Sequence, residues 1–270
     1  MAVIQIDRET CTKCGICATQ CNMIIFKEGS LPRQMPGTDE FCMRCGHCVA
    51  ICPTGSLTHK EMPLEQTPVI NKKLEITFEK CAQLIKSRRS IRNYKDKAVP
   101  KEEIERIIDV ARYAPTGHNA QDVRWLVIND RAYVDKIRAI GADWLRFVVK
   151  NNPQMAAMFA GIVQLLDAGK DMFIQGAPAL VTAYGEKNNP MCATDCAIAL
   201  GYFDLAAKSA GLGCCWAGFF YMSAGSYPPM KEAIGLPEGF TPYGALMVGY
   251  PIYQYQRIPT RKPAGVIYRP

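Results

Sequence analysis

Between Cys11 and Cys52 the chain reads CTKCGICATQC, then twenty residues, then CMRCGHCVAIC. Both runs have the spacing C-x2-C-x2-C-x3-C. An offset of 31 residues maps Cys11 on Cys42, Cys14 on Cys45, Gly15 on Gly46, Cys17 on Cys48 and Cys21 on Cys52. A cluster-binding loop has been duplicated. Three thiolates from so short a loop can wrap one face of an iron–sulfur cubane. The fourth must arrive from elsewhere, and in two-cluster chains of this spacing it comes from the other run. One [4Fe–4S] cluster is therefore assigned to Cys11, Cys14, Cys17 and Cys52, and a second to Cys42, Cys45, Cys48 and Cys21. Three other uses of the thiols fit less well. Eight free thiols this close would be an oxidation hazard. A disulfide framework would suit a secreted chain, which nothing here marks. Zinc usually draws paired C-x2-C motifs from well-separated knuckles, not three cysteines in seven residues with a fourth behind them.

These runs resemble the bacterial two-cluster ferredoxins, over about residues 1–60. Pro53 follows Cys52 as that pattern has it, whereas Asn22 follows Cys21.

The chain must position these groups, and about four-fifths of its 270 residues lie beyond them. That is enough for one further domain with a sizeable core. We expect a ferredoxin-like domain at 1–62, a Pro-containing linker at 63–75 and a larger α+β domain at 76–270. A hydrophobic fraction of 49% marks a globular chain. There is no run of eighteen apolar residues and no secretory signal, and with reduced thiols this points to a cytoplasmic protein without a membrane span.

In the small domain, Val3–Asp7 and Ser56–Lys60 read as strands, and Met23–Phe26 with Leu31–Met35 as a hairpin. In the large one, Thr77 caps a helix to Ser87. Pro100 opens a second helix that buries Ile104, Ile107, Ile108 and Ala111. Helical patterns follow at Ala132–Val149, Gln154–Leu166 and Cys192–Ala210. Strands are expected at Trp125–Ile128, Leu180–Tyr184 and Ala245–Gly249.

Four stretches of the large domain have a functional cast, each with a plainer reading beside it. Arg88-Arg89-Ser90-Ile91-Arg92 packs three guanidinium groups into five residues. Guanidinium forks match phosphate oxygens, yet cations at a helix C-terminus also simply answer the macrodipole. The loop Ala114-Pro115-Thr116-Gly117-His118-Asn119-Ala120-Gln121 has the turn chemistry of backbone lying close to a ligand, or of an ordinary surface loop. Gly211-Leu212-Gly213-Cys214-Cys215-Trp216-Ala217-Gly218 lacks the third glycine and the acidic residue of a dinucleotide fingerprint. Its glycines are read as ending a helix and bringing backbone amides near a planar cofactor. Val248-Gly249-Tyr250-Pro251 precedes Arg257, Arg261 and Lys262, a basic tail. Cys192 and Cys196, at i and i+4, could share a metal but read better as buried structural thiols, and His47 and His59 as structural.

In this order, these pieces resemble the FMN-dependent nitroreductase family over about residues 76–270. The whole chain then resembles a ferredoxin–nitroreductase fusion. The resemblance implies that Arg88, Arg89, Ser90 and Arg92 hold the flavin, with Arg261 and Lys262 reaching its phosphate. It implies that Pro115, Thr116, Gly117 and Asn119 contact FMN from the partner subunit of a homodimer, and that amides near Ala217 and Gly218 face the ring. Asp122-Val123 departs from the family's usual Pro-Trp. The cofactor carries the chemistry, so no side chain is assigned a catalytic role. The formal charge of +7 counts thiols as neutral. Cluster thiolates and a flavin phosphate would bring it near neutrality, and no basic block with interleaved aromatics suggests nucleic acid. The expected activity passes electrons from two clusters to FMN and on to a small flat acceptor: a nitroaromatic, quinone or conjugated carbonyl. A low-potential carrier protein would supply them. The rival is an electron-transfer relay that turns over no small molecule.

Overall fold

A computed structural model describes residues 2–269. Two compact units result, Met1–Glu75 with His118–Ala120, and Ile76–Gly117 with Gln121–Pro270.

In the first unit, β1 (Ile4–Ile6) leads into α1 (Ile16–Gln20), β2 (Ile24–Ile25), β3 (Arg33–Gln34), α2 (Thr38–Phe41), α3 (His47–Ala50) and β4 (Leu57–His59). β1 and β4 pair antiparallel with Ile4 opposite His59, and β2 pairs antiparallel with β3. The core is small: Val3, Ile4, Cys17, Ile24, Val49 and Leu57, with further cysteines packed against it. The duplication is repeated in the backbone. Lys13 and Arg44, 31 apart, both take the left-handed conformation, at φ 56° and 52°. Gly15 and Gly46 do so at 72° and 73°, each just before a helix. A Cβ at Gly15 would meet the Phe26 ring at 2.5 Å, so glycine is required there for space as well as for φ.

The second unit runs α4 (Phe78–Ser87), α5 (Lys101–Ala111), β5 (Arg124–Ile128), α6 (Arg131–Asn151), α7 (Pro153–Asp167), β6 (Ala179–Glu186), α8 (Cys192–Ser209), β7 (Gly213–Trp216), α9 (Gly218–Ser226), α10 (Pro228–Ile234) and β8 (Phe240–Gly249). The helices start where capping chemistry allows. Thr77, Asp130 and Asn152 each accept a first-turn amide, and Pro153 opens α7. The sheet has order β5-β6-β8-β7 and is antiparallel throughout.

Side chains alternate across that sheet. Ala179, Val181, Ala183, Cys214, Leu246 and Val248 join the core built on α5 and α8. Leu180, Cys215, Ala245 and Met247 join the core built on α6, α7, α9 and α10. Both faces are covered, which is the expected α+β layering. Among the described residues no helix is long and apolar enough to cross a membrane.

Several elements go beyond the sequence reading, among them α10 and the short helices α1, α2 and α3. β7 occupies the stretch read as glycine-terminated helix and loop. α9 is apolar all round, so it offers no helical periodicity to detect. β8 begins at Phe240, five residues earlier than expected. It tolerates Pro242 because the register with β6 shifts between Ala183 and Tyr184, at a bulge that spares the missing N–H.

Gly141 on α6 offers a test of packing against propensity. Alanine in a helix interior normally gains about 1 kcal/mol over glycine. Here a Cβ would come within 2.2 Å of the buried Phe173 ring. Overpacking of this kind costs about 1–3 kcal/mol. Gly141→Ala should therefore lower stability, read as a fall in the denaturant midpoint, despite the propensity gain.

Candidate functional site

The cysteine runs fold back on each other in the first unit. A cavity is lined by Cys11, Cys14, Cys17 and Cys52 together with Ile6 and Leu57. Cys52 thus joins three cysteines of the first run. Its Sγ lies 3.3 Å from Ser56 Oγ and 3.7 Å from Thr54 Oγ1. Burial raises its pKa, but these hydroxyls and the Thr54 and Leu57 amides outweigh that and hold it at about 7. Cys17 is raised by burial, and next by its neighbours Cys52 and Cys14. In the other set, burial and the proximity of Cys21, Cys42 and Cys45 push Cys48 up to about 11. Cys21 thus stands with the second run as Cys52 stands with the first. Among the described residues, no three His, Cys, Asp or Glu side chains form a group suited to one metal ion. A cubane asks for a wider arrangement, because each thiolate binds a different iron.

His59 is almost fully buried at 3% exposure. Its Nδ1 accepts the Glu61 amide at 3.1 Å, and its Nε2 lies 3.8 Å from Cys42 Sγ. The sequence reading treated it as packing. Its reach to a cysteine becomes visible only once β4 is paired with β1.

In the second unit, Arg88 and Arg89 line one groove with Lys95 and Lys208, and with the backbone of Gly211–Gly213. The segment that carries them is fastened to β7. The Ile91 amide donates to Cys214 O at 2.9 Å, and a Cβ at Gly213 would meet Ile91 at 2.3 Å. Tyr94 Oη donates to Ile91 O at 2.6 Å. With Ile91 and Tyr94 buried, Arg92 is left exposed and Ser90 half-buried. Arg88 also pairs with Asp204 at 3.2 Å. Burial holds the Asp204 carboxyl above its ordinary range, against the pull of Arg88.

Pro115 and Thr116 precede a strained turn. His118, Asn119 and Gln121 all have φ near +53°, where residues other than glycine are uncommon. The turn is held from both ends. Thr116 Oγ1 accepts the Gln121 amide at 3.0 Å, and both oxygens of Asp195 accept the Gly117 amide, at 3.2 and 3.1 Å. Asn119 groups with the first unit, where its Nδ2 donates to the carbonyls of Met43 and Arg44. Asp195, 2% exposed, was missed from sequence. Its signal was an acidic residue on the buried stripe of α8 with Cys192, Cys196 and Ala199.

Asp122, in place of the family's proline, accepts Asn189 Nδ2 at 2.6 Å and the Cys192 thiol at 3.7 Å. Burial pushes Cys196 up to about 12 and Cys214 well above its ordinary value. These thiols stay protonated and pack as small apolar groups.

The Ala217 amide is used within the sheet, donating to Ala245 O at 2.9 Å. Gly218, first residue of α9, keeps an amide with no acceptor inside its helix. Of the aromatic run, Phe220 is core and Phe219 packs on Trp144 and Phe159, while Trp216 is 50% exposed and Tyr221 40%. Arg261 and Lys262 lie on an exposed tail without regular structure.

Fold and sites together define an α+β unit with a basic groove, joined to a module whose cysteines line a common cavity. The nitroreductase family matches residues 85–250, more than half of the chain, and a 4Fe-4S dicluster domain matches residues 3–53. The chain belongs to the nitroreductase family and carries an N-terminal ferredoxin-type 4Fe–4S domain. Among relatives, a protein of Archaeoglobus fulgidus assigned by name to the NADH dehydrogenase/NAD(P)H nitroreductases is 28% identical over 174 residues, covering 64% of this chain and 87% of its own. The iodotyrosine deiodinase of Thermotoga neapolitana is 27% identical over 176 residues, covering 62% and 87%. A solved nitroreductase of Desulfitobacterium hafniense, with bound FMN, superposes with a TM-score of 0.58 at 20% identity, over 72% of this chain and all of that one.

Anaerobically purified protein should contain about eight iron atoms per chain, four for each cubane. Iron analysis decides this, and stoichiometric zinc without iron after anaerobic reconstitution would refute the cluster assignment.

Proposed function

We propose that this chain is an iron–sulfur flavoprotein that passes electrons from two [4Fe–4S] clusters to FMN and on to a flat organic acceptor, namely a nitroaromatic, a quinone or a conjugated carbonyl. The observation that carries the reading is the joining, on one chain, of a duplicated thiolate loop with repeated backbone geometry to a nitroreductase-family unit with a basic groove. The clusters would supply one-electron steps and the flavin a two-electron store. Every remaining task falls to the chain's own residues.

The donor sets fit these groups. Cys11, Cys14, Cys17 and Cys52 would hold one cluster, and Cys42, Cys45, Cys48 and Cys21 the other. Cys17 and Cys48 must lose protons against their burial, so loading should release protons. For FMN, the groove offers Arg88 and Arg89 beside glycine backbone that a planar group can approach closely. Ser90 and Arg92 follow on the same segment. The flavin phosphate would compete with Asp204 for Arg88. Gly218 offers a free amide to the ring. Related solved nitroreductases hold FMN, which supports the choice of cofactor.

A homodimer completes the reading, with Pro115, Thr116, Gly117 and Asn119 meeting the flavin across the interface and Arg261 and Lys262 reaching its phosphate. The exposed tail supports it, since Tyr253, Ile267 and Tyr268 expose large apolar surface on the single chain. Trp216 and Tyr221 are the exposed aromatics suited to a flat acceptor.

Two experiments test the reading. Arg88→Ala or Arg261→Ala should weaken FMN binding, because a lost charge-assisted phosphate contact costs about 1.5–3 kcal/mol. Flavin retention on gel filtration reads this out, and wild-type retention in both variants would return those arginines to a helix-capping role. Cys42→Ser with Cys45→Ser should abolish turnover driven by a reduced low-potential carrier protein, while a small chemical reductant still reduces FMN. Full carrier-driven turnover without that cluster would exclude it as the entry path.

A further inference from the structure

The two cysteine loops share spacing and backbone, but the hydrogen bonds around their sulfurs are not shared. Cys42 has His59, whereas its counterpart Cys11 is reached by no side-chain donor among the described residues. The residue 31 positions before His59 is Glu28, an exposed carboxylate. Conversely, Cys52 has the hydroxyls of Thr54 and Ser56. The positions matching these beside Cys21 are Met23 and Ile25, which carry no donor.

The geometry at His59 has a definite sense. The ring's Nδ1 accepts the Glu61 amide, so that nitrogen is unprotonated and the proton is on Nε2. Nε2–H then donates toward Cys42 Sγ. The ring is locked in place. It is buried, and its residue is held in register opposite Ile4 in the β1–β4 pair. Glu61 is itself tied to Arg44, Nε to Oε1 at 3.4 Å, within the second cysteine loop.

Resting on the reading that the eight cysteines hold two [4Fe–4S] clusters, we propose that His59 raises the reduction potential of the Cys42, Cys45, Cys48 and Cys21 cluster through its N–H···S bond to Cys42, and leaves the other cluster untouched. The physical reason is charge. One-electron reduction makes the cluster more negative, and an N–H dipole aimed at a ligand sulfur stabilises the reduced form more than the oxidised one. His59 is a positioning residue for electrons, not a ligand. The duplicated module thus carries two differently tuned clusters, with Ser56 in the comparable place at Cys52.

The test is a dithionite titration of the full-length, cluster-loaded protein with mediators, followed by electron paramagnetic resonance, on wild type, H59L, H59Q and S56A. The H59L variant removes the donor, and H59Q keeps an N–H₂ at about the place of Nε2. The expected result is eight irons throughout and one midpoint shifted downward in H59L. That midpoint should be largely restored in H59Q, and the other alone should shift in S56A. Unchanged midpoints in H59L overturn the proposal, as do equal shifts in H59L and H59Q, which would mark a packing effect. Loss of iron from either His59 variant would also overturn it, giving the residue a holding role instead. A wild-type protein without eight irons would instead sink the two-cluster reading on which this rests.

Discussion

The sheet of the second unit is buried on both faces, and this constraint decides where its functional groups can stand. A strand between two apolar layers must offer apolar side chains alternately to each. Cys214 and Cys215 show the consequence on β7: adjacent thiols enter different cores, and both serve as packing. β7 carries no charged residue, and the guanidinium groups come from a segment laid along its edge. Ile91 is the peg. Seated against Gly213 and bonded to Cys214 O, it fixes the residues on either side of it, three of which are arginines.

The same economy explains Asp195. A carboxylate inside an apolar helix face is costly unless its oxygens are satisfied. Both accept the Gly117 amide, so the helix that buries the sheet also holds one end of the strained loop. Asp122, half-buried at the far side of that turn, works through Oδ2 alone, which accepts from Asn189 and Cys192. The buried Asp195 costs stability by itself and returns it as a defined loop conformation.

Much of this was legible in residue types and spacing. The offset of 31 between the cysteine runs survives as matched φ values at Lys13 and Arg44, because the same backbone path is needed to wrap three thiols. Helix α4 announced itself by its Thr77 cap, and α6 and α7 by their helical patterns, although their Asp130 and Asn152 caps came to light only in the structure. β7 was hidden because its four residues include a glycine that is there for Ile91, not for a turn. α9 was hidden because its exposed face carries Tyr221 and Met222 and its buried face Ser223, which erases the periodicity by which helices are read. His59 and Asp195 were illegible for another reason: each acts across a long sequence separation, 17 residues to Cys42 and 78 to Gly117. Such a pairing has no local signature.

The first unit faces a different constraint. Its apolar core amounts to six buried side chains, too few to order some seventy residues by burial alone. Small domains of this size are usually held by ligation or cross-links, and here thirty-one-residue symmetry supplies two sets of four thiols. A module whose fold rests on its ligands has little freedom to vary the cysteines. Variation is therefore confined to what surrounds the sulfurs, where a hydroxyl or an imidazole can be exchanged without unmaking the loop. Thr54 and Ser56 at one cysteine, and His59 at another, are where the two halves of an otherwise repeated structure have come to differ.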